Sequence, residues 1–435
     1  MRTIRKVVIL GANGAMGSGS GAVFAAAGIP TVFLARTLEK AEAGRARADQ
    51  LTKGKAQRAI TCGTYSQDLG HALGDADLVF EAVAEDLATK REVFALIDRL
   101  RNADTIVATV SSGLSIGLMC ADRSESFRNH FLGIHFFNPP TIIVGCELIP
   151  HAGTCPGVVA VVRDFLSSIV GREVVETRDT PAFAGNRLGF KVLNEVAQHA
   201  EAHGVAFMDQ LLGQHTGRAL PPLATIDLVG WDVHKAIVDN LYNSTHDVAH
   251  ASFKLPAYMQ RGIERGHLGR KTRDKGGFFR VTGKGPDAQT FVLDAQSDDY
   301  RPLAEIAPPL PAFVDHMKTA LKNGRSHTGA MEVLCTAEGP QADLLRQIVL
   351  GYISYGLGLV GPVVERARDV DRIMGFGFNW APPGMLVDAI GPGRTIVLLE
   401  RAKLPVPDVI LEAATHQRPV FNEPAVDSSR FFVAA

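Results

Sequence analysis

Lys6–Gly17, KVVILGANGAMG, is the stretch whose reading decides the fold. After Lys6 comes an unbroken apolar run, Val7–Leu10, as expected of a strand buried on both faces of a parallel sheet. Gly11, Gly14 and Gly17 follow, with Met16 between the last two, where the strand gives way to the helical run AMGSGSGAVFAAAG. Small residues there let the backbone approach a phosphate, and the free N–H groups of the helix start favour its negative charge. The spacing is G-x-x-G-x-x-G, one residue longer in the turn than the usual dinucleotide fingerprint. Taken alone, such a string also reads as a tight strand-to-helix turn, so its neighbours must carry the argument.

Thr31–Ala35, TVFLA, completes a βαβ unit and places any nucleotide at the carboxyl ends of the strands. NAD-binding proteins commonly carry Asp or Glu at the end of this second strand, to accept hydrogen bonds from the adenosine ribose. This chain has Arg36, then Thr37. A guanidinium cannot accept those bonds but pairs with a 2′-phosphate and lies flat on an adenine. NAD is the expected cofactor with NADP open, and a solvated Arg36 is the competing reading. Ala76–Asp86, ADLVFEAVAED, reads as a further buried strand ending in acids, and LATKREVFALIDRL as an amphipathic helix. Thr105–Ile116, TIVATVSSGLSI, is one more strand, running out into Ser111, Ser112 and Gly113.

The bulk properties narrow the field. A chain of 435 residues suggests two or three domains. Lys plus Arg (45) and Asp plus Glu (46) nearly cancel, so nothing global points to nucleic acid or an anionic membrane as a partner. Five cysteines, in no C-x-x-C pair and no metal-type cluster, predict neither a disulfide framework nor a metal site and fit a reducing, cytoplasmic setting. The apolar run near the N-terminus is too short for a signal peptide, and no segment reaches the roughly 18 apolar residues a membrane helix needs.

Several motifs then fall in one order: GANGAMG, EAVAED, VSSGLSI, GIHFFNPP, CELIP and DTPAFAGNRLG. Together they resemble the L-3-hydroxyacyl-CoA dehydrogenase family, and the likeness continues through IDLVGWDVHKAIVDNLY and GHLGRKTRDKGGFF to MGFGFNWAPPGMLVDAIG. HFFNPP with a Glu twelve residues on, and TP followed by NR, are far more specific than the glycine loop. The resemblance implies an NAD-dependent dehydrogenase of fatty acid β-oxidation, acting on an acyl-CoA. It gives His135 the role of general base, Glu147 that of the carboxylate orienting it, Ser111 a hydrogen bond to the substrate hydroxyl and Asn186 a part in polarising the substrate. Glu85 and Lys90 match residues that approach the nicotinamide half of the cofactor. Here SSGL stands where the family often has SSL, so Ser112 is an alternative to Ser111. The chemistry suits these residue types: alcohol oxidation by hydride transfer needs a base working near neutral pH, a carboxylate to fix its tautomer, and donors for the changing oxygen charge. Lys53 and Lys55, with Arg58, are candidates for the CoA phosphates, a solvated basic face being the other reading.

The second half changes to helical spacing and contains a repeat. PPLATIDLVG (Pro221–Gly230) and PPGMLVDAIG (Pro382–Gly391) share P-P-x4-D-x-x-G, and each follows a D-x-x-x-G, from Asp209 and from Asp371. The expected architecture is therefore a Rossmann-type doubly wound parallel sheet over 1–178, then an all-α domain in two copies, 179–285 and 312–435. Arg273–Pro311, rich in Gly, Pro and Asp, reads as a connector, with 286–311 as the linker between the copies and GGFFRV and TFVLD forming a small hairpin. No N-R pair falls near Ile348, so the second copy is expected to lack a catalytic part. The resemblance implies that the copies form a pseudo-dimer within a monomer, a homodimer being the alternative, and that a hydratase step falls to a separate enoyl-CoA hydratase. A hydroxyacid dehydrogenase acting without CoA, and a cofactor-binding protein without turnover, are the competing functional readings.

Overall fold

The computed structural model describes residues 3–283, 288–306, 309–324, 327–423 and 426. The chain forms two compact units, Met1–Phe183 and Ala184–Ala435. In the first, strands and helices alternate: β1 (Val7–Leu10), α1 (Ala15–Ala26), β2 (Thr31–Ala35), α2 (Leu38–Thr52), β3 (Ile60–Thr64), α3 (Leu69–Gly74), β4 (Leu78–Glu81), α4 (Leu87–Leu100), β5 (Ile106–Thr109), α5 (Ile116–Cys120), α6 (Glu125–Asn129), β6 (Phe131–Phe136), β7 (Gly145–Pro150), α7 (Pro156–Asp164) and β8 (Glu173–Glu176). They make one eight-stranded sheet in the order β3-β2-β1-β4-β5-β6-β7-β8. β1 pairs in parallel with β2 on one side and β4 on the other, so the winding reverses there and leaves a crevice at the carboxyl ends of these strands.

Both faces are covered. Phe24, Phe80, Phe136 and Phe165 stack on one, with ring centroids 5.4 to 5.9 Å apart. Phe94, Phe127 and Phe131 cluster on the other. Full burial of each such ring stabilises the fold by roughly 1.5–3 kcal/mol. The expected parallel sheet holds from β1 to β6, but β7 runs antiparallel to β6. Only eight residues, 137–144, join the two, too few for a crossover helix, so the chain can only turn back on itself. β8, after α7, again lies parallel to β7.

The second unit is mainly helical: α8 (Gly185–His203), α9 (Val205–Leu211), α10 (Pro222–Val229), α11 (Trp231–Ser244) and α12 (Ala257–Glu264), then α13 (Leu303–Ile306), α14 (Ala312–Gly324), α15 (His327–Thr336), α16 (Pro340–Gly358), α17 (Ala367–Ile373), α18 (Pro383–Ile390), α19 (Pro392–Arg401) and α20 (Asp408–Thr415). It is not purely helical. The region expected as a connector carries a three-stranded antiparallel sheet of β9 (Phe279–Thr282), β10 (Gln289–Asp294) and β11 (Asp299–Pro302). Thr290 opposite Val281 gives the hairpin between GGFFRV and TFVLD. Among the described residues, no helix is long and apolar enough to cross a membrane.

The stretches from Asp209 and from Asp371 are built alike. Asp209 accepts the N–H of Leu223 at 2.7 Å, and Asp371 that of Gly384 at 2.8 Å, each at the start of an eight-residue helix opened by proline. Asp227 accepts the N–H groups of Phe278 and Phe279, and Asp388 those of Val420 and Phe421. Gly230 and Gly391 end the two helices at φ 99° and 94°, where a side chain would be strained.

Burial pushes the Asp371 carboxyl up to about 8 and that of Asp209 to about 7. Such groups hold a proton in the folded chain that the unfolded chain has lost, so their stabilisation is full below about pH 4 and falls as pH rises through their folded values. His215 and His234, driven down by burial to about 4 and about 3, act in the opposite sense only below about 6.5. Between pH 6.5 and 8 the thermal midpoint of this unit therefore falls with rising pH, and Asp371→Asn flattens the slope. A variant as steep as the wild type removes Asp371 as its cause.

Candidate active site

The twelve-residue interval between His135 and Glu147 becomes a cross-strand pair. In the antiparallel register of β6 and β7, His135 stands opposite Glu147, and directly opposed residues share a face. Alternation along β6 sends Ile134 and Phe136 into the core on one side of the sheet and His135 to the other. The imidazole Nδ1 lies 2.7 Å from Glu147 Oε2, and both side chains are almost wholly buried. A carboxylate only accepts, so Nδ1 carries the hydrogen and Nε2 is left as the basic nitrogen. Phe137 meets the imidazole edge-on at 4.9 Å, and Phe183 packs at 5.7 Å. Phe183 is held there by a turn in which both Ala182 and Phe183 take positive φ, 57° and 54°. Adjacent non-glycine residues in that region are costly and point to a constraint at this place.

β5 pairs with β6 at Thr109 and Gly133, so Ser111 leaves the sheet beside His135 at the same edge. Ser111 is buried and donates its hydroxyl to Glu85 Oε1 at 2.5 Å, and the Ser112 N–H reaches the same oxygen at 2.9 Å. Behind them lies a charge cluster. Lys90 Nζ, fully buried, donates to both oxygens of the buried Glu81 at 2.9 and 3.0 Å and lies 3.3 Å from Glu85. Glu81 also accepts from the Thr109 hydroxyl at 2.6 Å and the Val83 N–H at 2.6 Å. The loop carrying Ser111 is anchored at its far end by Asp179, which accepts from Ser115 Oγ and from the N–H groups of Ile116 and Gly117. Sequence reasoning missed Glu81, Thr109, Asp179 and Phe183. The acid at the end of FE and the D of DTP were visible, but nothing in the spacing tied them to the serines.

The glycine turn fits a dinucleotide pyrophosphate. A Cβ on Gly11, at φ 81°, would stand 2.3 Å from the Ala82 carbonyl, and one on Gly17 would stand 2.2 Å from that of Gly11. Gly14 opens α1 with no side-chain cap and no acid in the first turn, so the first amides of this helix, including that of Met16, stay available to an anion. The longer turn is absorbed by Ala12, buried beneath α2, where Gly44 comes so close that a Cβ would lie 2.4 Å from the Ala12 carbonyl. Arg36 follows β2 at the same carboxyl edge and is exposed.

The structure does not bring every candidate to this place. Lys53 and Lys55 stand at the amino ends of β2 and β3, because α2 starts at the carboxyl edge and runs back the length of the sheet before Lys53 ends it. Expected beside the substrate, they lie a strand's length from the crevice, as does Arg58 just before β3. Asn186 belongs to the second unit, buried in the first turn of α8.

Residues 6–180 match the NAD binding domain of 3-hydroxyacyl-CoA dehydrogenase, and residues 183–278 match the C-terminal domain of the same family. A probable 3-hydroxyacyl-CoA dehydrogenase of Bacillus subtilis is 30% identical over 94% of this chain, which spans 54% of that protein's length. A 3-hydroxybutyryl-CoA dehydrogenase of Mycobacterium tuberculosis is 31% identical over 62% of this chain and 96% of its own length. The crystal structure of the 3-hydroxybutyryl-CoA dehydrogenase of Escherichia coli K12 shares the fold over 95% of this chain and 99% of its own, with a TM-score of 0.68 at 20% identity. With both family domains matched in order and a relative covered almost end to end, the chain belongs to the 3-hydroxyacyl-CoA dehydrogenase family.

Proposed function

We propose that the protein interconverts an L-3-hydroxyacyl-CoA and its 3-oxoacyl-CoA. The observation that carries this reading is the buried His135–Glu147 pair at the carboxyl edge of a nucleotide-binding sheet. When bound there, a nicotinamide dinucleotide supplies the hydride acceptor or donor. His135 Nε2 takes the hydroxyl proton as the alcohol is oxidised and returns it in reduction. Glu147 keeps Nδ1 protonated and stabilises the imidazolium that forms. Ser111 hydrogen-bonds the substrate oxygen, and Phe137 and Phe183 keep water from the imidazole. In the present arrangement the Ser111 hydroxyl is held by Glu85, so binding substrate through Ser111 requires that bond to be exchanged.

The test is the rate of acetoacetyl-CoA reduction with NADH and NADPH, beside that of free acetoacetate. Thioester turnover at least roughly a hundredfold above that of the free acid supports the reading, because binding energy from the CoA portion then lowers the barrier. The reverse preference makes this a dehydrogenase of CoA-free hydroxyacids, and nucleotide binding without any turnover makes it a binding protein.

We infer too that the helical unit holds two copies of one domain, facing each other as a pseudo-dimer. Arg218 and Trp380, which follow Gly217 and Asn379 at matching places in the two stretches, form an antiparallel bridge. The Ala381 N–H donates to Gly217 O at 2.7 Å, and the buried Arg218 guanidinium lies 4.9 Å from the Trp380 ring and 5.4 Å from that of Tyr352. Contact between like positions is what a twofold axis produces. Sedimentation should therefore report a 46.6 kDa monomer. An obligate dimer built through these helices would overturn the inference.

A further inference from the structure

We propose that the helical unit binds a fatty carboxylate, a straight alkyl chain ending in one negative charge, in a cavity between α9 and α14. The cavity has a volume of about 600 Å³, within the range of small-molecule sites. α9 begins where α8 ends, about 27 Å along the helix axis from Asn186, and none of the residues given a part in the proposed reaction lines the cavity. The inference is therefore independent of the acyl-CoA reading. The wall is apolar: Ala206 of α9, Pro221, Phe279 of β9, Leu303 of α13, Leu310 and Leu321 of α14 converge on it from separate stretches of the chain. An alkyl chain laid on such a surface gains roughly fourfold in affinity for each methylene fully buried.

The positive charge of the lining comes from one helix. Lys318 and Lys322 stand one turn apart on the same face of α14, and both are exposed residues of the lining. Lys318 lies 3.7 Å from the exposed Asp315, and Lys322 is in no ion pair among the described residues. Side chains of this kind lay their stems on apolar surface and keep the charge at its rim. The buried polar groups of the lining do little to oppose an anion. Asp209, the one acid among the described residues that line the cavity, has both oxygens engaged by the N–H groups of Leu223 and Ala224, at 2.7 and 3.2 Å, and burial pushes its carboxyl up to about 7. His215 donates from Nε2 to Leu211 O at 2.9 Å, and burial, which drives it down to about 4, keeps the ring neutral. An uncharged amphiphile finds no partner for its head that water does not offer, and a cationic one meets two like charges. A carboxylate meets two ammonium groups at the mouth of an apolar chamber.

The experiment is calorimetric titration of the whole chain with octanoate, decanoate and dodecanoate below their micellar concentrations, with decanol and decyltrimethylammonium as uncharged and cationic controls. The expected result is a Kd for dodecanoate on the order of 10–100 μM, weakening roughly tenfold for every two carbons removed. Decanol should bind at least roughly threefold more weakly than decanoate, and decyltrimethylammonium more weakly still. Lys318→Ala and Lys322→Ala each weaken dodecanoate roughly threefold, and the double substitution roughly tenfold, at an unchanged thermal midpoint. A dodecanoate carrying a diazirine at its methyl end should label the apolar wall, between 206 and 221 or between 303 and 321, with excess acetoacetyl-CoA leaving the labelling undiminished; mass spectrometry of the peptides reads this. Absence of binding, decanol as tight as decanoate, or affinity unmoved by the double substitution overturns the proposal. Labelling confined to other segments, or displaced by acetoacetyl-CoA, overturns it as well.

Discussion

His135→Gln lowers the rate of acetoacetyl-CoA reduction by about three orders of magnitude, within the range that a positioned acid–base group contributes. Glutamine is the informative replacement because its amide N–H can still donate to Glu147, whose carboxylate is wholly buried. The fold should therefore survive, and unchanged nucleotide binding is the measurement that shows it. What the variant lacks is a nitrogen able to take a proton on the side away from Glu147. Retention of more than about a tenth of the rate, with nucleotide binding intact, would mean that the imidazole is not the base. Recovery of the rate on adding free imidazole would point the other way and locate the loss in proton transfer.

Lys90→Met is expected to cost about 3–5 kcal/mol of stability in the nucleotide-binding unit, the usual result of removing one partner from a buried ion pair. The ammonium touches both Glu81 oxygens and Glu85. With it gone, Glu81 keeps the Thr109 hydroxyl and the Val83 N–H but carries a negative charge that nothing neutralises. Glu81→Gln in the same chain should restore most of the loss, because an amide in that place is neutral. Denaturant unfolding of the two variants measures this. A single variant within about 1 kcal/mol of the wild type would show that water reaches the pair. Lys90 also faces Glu85, which holds Ser111, so activity should fall in both variants even where stability returns.

The fold was legible where one residue type has one use. Glycines at a strand-to-helix junction, a buried apolar strand before them and a second after them led to the sheet and its crevice. The His135–Glu147 pair was legible as a spacing, although the reason for twelve residues became clear only with the reversed β7. Other parts were hidden because they depend on where elements pack. Lys53 and Lys55 look basic and close to a nucleotide-binding strand, yet the direction of α2 carries them to the far end of the sheet. Glu81 reads as one more acid at a strand end until α4 brings Lys90 against it. The small sheet from β9 to β11 lies in a segment rich in Gly, Pro and Asp, whose composition speaks of turns and masks the short strands between them.

The facing of His135 and Glu147 across two strands also limits how the gene can vary in length. One codon inserted in β7 between Gly145 and Glu147 would turn the carboxylate to the opposite face of the sheet and give the imidazole a neighbour chosen by the shift. Two codons would restore the face but displace the carboxylate by about 7 Å along the strand, well beyond hydrogen-bonding reach. Residues 137–144 face no such parity rule, so a change of length there leaves His135 opposite Glu147, provided that it spares Phe137 beside the imidazole.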